Sequence, residues 1–175
     1  MSAYPPSFRI SQALGLAGAA WLSGSITSLS LLTIPSLLAS HSTHTISLAT
    51  LTQQFRLVYE YGKQRMPPVA LLTATNFLYL AWSVRPGTAL AVLAPRHSAV
   101  GYAVAVALTV GIVPWTAAAM GRVNAGLLGW EESVDGKREG EEERVVGLLR
   151  RWGWLNVGRG LLPLLGGLVS VVAGV

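Results

Sequence analysis

Residues 10–32 read ISQALGLAGAAWLSGSITSLSLL, and no Asp, Glu, Lys or Arg occurs anywhere between Arg9 and Arg56. At about 1.5 Å of rise per residue, a helix of this length covers the ~30 Å hydrocarbon layer of a bilayer. Lipid offers backbone N–H and C=O groups no partner, so a segment crossing it must satisfy its own hydrogen bonds as a helix. Ser23, Ser25, Thr27, Ser28 and Ser30 stud the run. Hydroxyls at these positions suit a helix packed against other helices better than the apolar centre of a signal peptide.

Working outward from that run, three more charge-poor segments follow, at about 66–84, 98–121 and 152–175, and the last contains one charge, Arg159. The expected fold is all-α, an integral membrane four-helix bundle forming a single domain over residues 1–175, with a polar loop at 122–151. Leu48 to Arg65 sets Leu51, Phe55, Tyr59 and Gly62 on one face and Thr52, Arg56, Glu60 and Lys63 on the other. That pattern predicts an interfacial amphipathic helix in the first loop. Most of the acids fall between Glu131 and Arg144, a stretch read as a solvated loop without chemistry.

Composition narrows the function classes. Only 12% of residues are charged, about half the share usual in soluble domains. With no cysteine, thiolate catalysis, disulfides and iron–sulfur ligation drop out together. The net charge of +5 sits between apolar runs rather than in a basic patch with interleaved aromatics, so nucleic acid is not an expected partner. The first and third loops hold nine Lys and Arg residues, against three in the N-terminus and second loop. The positive-inside rule then places those two loops in the cytosol and both termini outside.

Small residues recur at four-residue spacing: Gly15, Ala19, Ser23 and Thr27; Ala99, Ala103, Ala107 and Gly111; Gly166, Ser170 and Gly174. Each series lies on one helix face, where helix backbones approach closely. His41 and His44 have the i, i+3 spacing of a metal pair but no third ligand nearby, so no metal site is expected. No nucleophile elbow, phosphate loop or dinucleotide fingerprint is present.

Arg159 lies seven residues into the last run, with Asn156 one turn before it and Gly160 and Pro163 beside it. A charge inside a span costs about 2.5–3.5 kcal/mol even on the lenient insertion scale, so it normally faces the bundle interior. Two readings stand. Arg159 and Asn156 form a donor-rich spot for an anion such as a phenolate or enolate, or Arg159 snorkels to the headgroups and serves assembly alone.

Several ordered pieces carry a family resemblance: Ser28-Leu29-Ser30-Leu31-Leu32-Thr33-Ile34-Pro35, Gln54-Phe55 with Tyr59 and Gly62, Met66-Pro67-Pro68-Val69-Ala70, Pro114-Trp115-Thr116 with Met120 and Asn124, and Trp154-Leu155-Asn156 with Arg159 and Pro163. Together they resemble the fungal anthrone oxygenase-like family of small four-span membrane proteins. Trp115 and Arg122-Val123 depart from that family's expected Tyr and Pro-Thr.

The resemblance implies oxidation of a polyketide-derived anthrone to an anthraquinone by O₂ in secondary metabolism, without a dedicated cofactor. Its partners would be a small aromatic substrate, O₂ and membrane lipid, with homo-oligomerisation open and the endoplasmic reticulum or another endomembrane as location. For that chemistry Arg159 and Asn156 are the candidate catalytic residues, and Trp154, Trp115, Tyr79 and Asn124 the candidate pocket. No carboxylate lies inside a span, which leaves water, the substrate's phenolate, Glu60 or His97 as base. The alternative is a non-catalytic membrane scaffold.

Overall fold

The computed structural model describes residues 4–130 and 140–175. Most of the acidic loop, including Glu131, Glu132, Asp135, Lys137 and Arg138, lies outside the described residues. Four helical rods make the fold of the described residues. The first runs from α1 (Pro6–Ser28) through a π-helical turn (Leu29–Thr33) into α2 (Ile34–Ser42). The second is α3 (Leu48–Ser83). The third comprises α4 (Ser98–Val110), α5 (Ile112–Trp115), a second π-helical turn (Thr116–Met120) and α6 (Gly121–Leu128). The fourth is α7 (Glu141–Gly174).

The rods close into a ring in which α1 packs on α3 and α7, and α4 packs on the same two helices. His41, at the end of α2, holds Glu142 of α7 at 3.0 Å, so the first loop and the start of α7 share one end of the bundle. Gln12 Nε2 donates to Tyr102 Oη at 2.9 Å near the other end.

The bundle is apolar outside and partly polar inside. Leu31, Leu32, Leu72, Trp82 and Val172 are exposed, whereas Ser23, Thr73, Asn76, Thr109 and Asn156 are buried. That inversion suits lipid as the surrounding solvent. Among the described residues, three rods are long and apolar enough to cross a membrane: Pro6–Ser42, Ser98–Leu128 and Glu141–Gly174.

Helices extend past the apolar runs. α7 begins at Glu141, and α6 occupies Gly121–Leu128, so the segment expected as a loop is in good part helical. Acids in the first turn of α7 favour this start, because they complement the positive end of the helix dipole. The amphipathic helix is present but continues without a break through Pro67 and Pro68 into the second rod. Its apolar face packs inside the protein, where Leu51 and Phe55 join Val123, Leu149 and Trp152.

Two of the three small-residue series sit in contacts. For the α1 series, an added Cβ at Gly160 would lie 2.6 Å from Thr27 Cγ2, and one at Gly167 3.2 Å from Ala19 Cβ, so α1 and α7 approach closely. For the α7 series, one at Gly166 would lie 3.1 Å from Ala105 O of α4. The α4 series is the exception. Ala103 and Ala107 are exposed, and α4 packs instead through Gly101, Ala105 and Thr109. Two residues' offset turns a helix by about 200°, so a neighbouring stripe of equally small residues took the contact.

Candidate functional site

A cavity of about 640 Å³ opens between the rods. α1 and its π-turn contribute Ile26 and Leu29, and α3 contributes Tyr59, Lys63, Met66, Ala70 and Leu71 among others. The third rod supplies Val110, Ile112, Val113, Thr116 and Asn124, and α7 supplies Trp152 and Arg159. The walls are mostly apolar with a few polar groups, the usual constitution of a small-molecule site.

Two cations line the cavity among the described residues, and of these Arg159 is partly buried whereas Lys63 is exposed. Arg159 Nη1 donates to Thr116 Oγ1 at 3.4 Å, while its buried Nε has no hydrogen-bond partner among the described residues. Thr116 Oγ1 itself donates to Ile112 O at 2.6 Å, which leaves its lone pairs for the guanidinium. No carboxylate pairs with Arg159 among the described residues. A partly buried cation without a counter-ion favours an anionic ligand.

Both π-turns border this spot: Leu29 opens the first and Thr116 the second. In the first, the Ile34 N–H reaches back to Leu29 O. π-turns widen a helix locally and recur at functional sites. Pro114 and Pro35, beside the two turns, were the available sequence signals.

Of the expected site residues, Arg159 and Asn124 come together on the cavity wall. Asn156 is fully buried just behind the wall, where Nδ2 donates to Ile26 O at 2.7 Å and Ser30 Oγ at 2.9 Å. Its side chain thus ties α7 to the first π-turn, with Oδ1 unpartnered among the described residues. Trp115 lies against α7: Nε1 donates to Leu155 O at 3.1 Å, and the ring occupies the space a Cβ on Gly158 would need.

Trp154 and Tyr79 lie away from the cavity. Trp154 is 78% exposed on the outer side of α7, because the two-residue step from Trp152 turns it to the opposite face. Tyr79 Oη donates to Ser7 Oγ at 3.2 Å, on the N-terminal stretch of α1. Neither Glu60 nor His97 lines the cavity.

Trp152 and Tyr59 are aromatic wall residues that were not among the expected site residues. The spacing of Trp152 to Asn156 and Arg159, i, i+4 and i+7, was the readable signal for it. Phe55 meets its ring edge-on at 5.2 Å between centroids, and its Nε1 donates to Asn124 Oδ1 at 3.0 Å. Tyr59 and Lys63 complete the polar side of the lining. The described residues contain no cluster of metal-ligating side chains, and His41 is engaged with Glu142 and Ile46 O.

Fold and cavity together define an all-α bundle of the membrane type, carrying one cationic, otherwise largely apolar chamber among its helices. The chain belongs to the anthrone oxygenase family, whose model matches residues 55–169. It is 37% identical over 171 residues to an anthrone oxygenase of Aspergillus fumigatus, covering 91% of this chain and 90% of that protein. An anthrone oxygenase of Paecilomyces divaricatus is 32% identical, with 91% and 92% covered. A noranthrone monooxygenase of Aspergillus flavus is 31% identical, with 87% of this chain and 67% of that protein covered. No solved structure matches the chain.

Proposed function

We propose that this protein oxidises a polyketide-derived anthrone to the anthraquinone with O₂, acting as a multi-pass protein of the endoplasmic reticulum or another endomembrane. The observation that carries the reading is Arg159, a cation with no counter-ion among the described residues, on the wall of a largely apolar chamber of about 640 Å³. Relatives named for anthrone oxidation supply the substrate class.

The chemistry needs a stabilised anion. Loss of one methylene proton turns an anthrone into an extended enolate, which is electron-rich enough to reduce O₂. Carbon–oxygen bond formation gives a peroxide anion at that carbon, which takes back the proton lost in the first step and becomes a hydroperoxide. Loss of the second methylene proton with cleavage of the O–O bond leaves a carbonyl and releases water. Anthrone and O₂ thereby become anthraquinone and H₂O, and the reading requires no dedicated cofactor.

Arg159 holds the enolate oxygen and lowers the barrier to proton loss by favouring the charge that develops. Asn124 offers a second donor on the same wall. Asn156 acts through Ile26, fixing the wall segment that faces the guanidinium. The described lining has neither carboxylate nor imidazole, so the proton leaves to water or to a phenolate of the substrate.

The test is O₂ uptake and quinone formation by membranes containing the chain, supplied with an emodin-type anthrone and compared with empty membranes. An excess rate that survives a chelator and falls in Arg159→Ala supports the reading. No excess, with the chain shown to be inserted, favours a membrane scaffold.

A further inference from the structure

We propose that the flat, apolar substrate enters this cavity sideways from the lipid, through a mouth between α3 and the α4–α5 segment. The inference rests on the anthrone reading and adds the route by which such a compound arrives. Its basis is a set of residues that line the cavity and are also exposed at the protein surface. Leu71 of α3 is 71% exposed and Val113 of α5 is 62% exposed, and both border the chamber. Pro67 and Val110 share both properties. The floor, by contrast, is made of buried residues, among them Ile26, Ile112 and Trp152.

The mouth lies at the depth of the hydrocarbon layer. Leu71 is six residues beyond Arg65, about 9 Å along the helix. Val113 stands nine residues before Arg122, about 13 Å from that charge. Both sit within charge-free runs, and the four rim residues just named are apolar. Leu71 and Val113 therefore present a lipid-facing aperture, whereas Lys63 marks its polar edge. A polycyclic anthrone concentrates in lipid because burial of apolar surface is favourable. Sliding through an apolar rim keeps its rings out of water throughout, and its oxygen leads toward Arg159.

The absence of cysteine makes a site-directed block clean. Leu71→Cys, at the rim, and Leu72→Cys, exposed on α3 but not on the cavity wall, are reconstituted as full chains in phosphatidylcholine vesicles. Each is labelled with N-(1-pyrenyl)maleimide, a bulky apolar reagent. Two readouts are taken before and after labelling: O₂ uptake with an emodin-type anthrone, and quenching of tryptophan fluorescence by anthraquinone.

Labelled Leu71→Cys should lose at least about ten-fold in kcat/KM and in the rate of quenching, relative to the same variant unlabelled. Labelled Leu72→Cys should lose neither. Unchanged kinetics in labelled Leu71→Cys would overturn the lateral route, as would equal losses at both positions. If no vesicle consumes O₂ above empty controls, the oxygenase reading fails and the quenching arm alone decides the route. Absence of quenching in every unlabelled vesicle overturns it too, because the chamber then takes no such ligand.

Discussion

Trp152 Nε1 donates to Asn124 Oδ1 at 3.0 Å in a buried contact between α7 and α6. An indole nitrogen can only donate, so the bond settles which way the carboxamide is turned. The oxygen is taken, and the Nδ2 end, which has no partner among the described residues, remains for the chamber that Asn124 lines. Trp152 thereby presents a second donor on the wall that carries Arg159.

This orientation makes Trp152→Phe informative. The aromatic packing on Phe55 is largely kept, while the donor is lost. Loss of a buried hydrogen bond costs about 1–3 kcal/mol, and here part of that cost falls on the pose of Asn124. The expected outcome is a fall of about ten-fold in kcat/KM, with the variant still inserted and helical by circular dichroism. An unaltered kcat/KM would show that Asn124 does not contact substrate.

Arg159→Ala removes the partly buried cation of the described lining. Losing a preorganised donor to a developing oxyanion typically costs about 10²–10³ in kcat, and a loss of that size is expected at matched membrane levels. Arg159→Lys keeps charge without the planar fork and should fall between wild type and the alanine variant. Wild-type turnover in Arg159→Ala would remove the role assigned here.

Asn156→Leu separates support from chemistry. It deletes two bonds, to Ile26 O and Ser30 Oγ, and leaves those acceptors buried. A stability loss of about 1–3 kcal/mol per unsatisfied group is expected, read as a lower melting temperature in detergent. Turnover per folded molecule should fall less than in Arg159→Ala. A loss matching Arg159→Ala without a change in melting would instead place Asn156 in contact with substrate.

Gly160→Val tests the close approach of α1 and α7. The added Cβ would meet Thr27 Cγ2 at 2.6 Å, and overpacking of this kind costs about 1–3 kcal/mol. Gly24→Ala is the control, since its Cβ meets nothing within 4 Å. Melting temperatures should drop for the first and hold for the second. Equal melting of both variants would mean that the helices part at no cost.

Much of the architecture was legible along the chain. The positions of Arg9, Arg56, Arg65, Arg85, Arg96 and Arg122 bracket the apolar runs, and a charge-free run of such length has few structures open to it in lipid. Arg159 was legible as a site candidate for the same reason, because a charge inside a span needs an interior destination. The continuous helix through Pro67 and Pro68 was not legible, since local propensity argues for a break there, whereas Met66, Val69 and Ala70 on either side pack in one cluster with Leu22 and Ile112.

The sequence by itself determined an all-α bundle with one cation inside it, because hydropathy and charge act position by position. Only the tertiary structure decided that Trp152 rather than Trp154 forms the wall, that Asn124 reaches the chamber, and that Asn156 and Trp115 serve helix contacts. Those assignments depend on how far each helix is rotated about its own axis. That rotation is set by glycine-sized gaps such as Gly158 under Trp115 and Gly160 under Thr27, through contacts between residues about forty to more than one hundred and thirty positions apart.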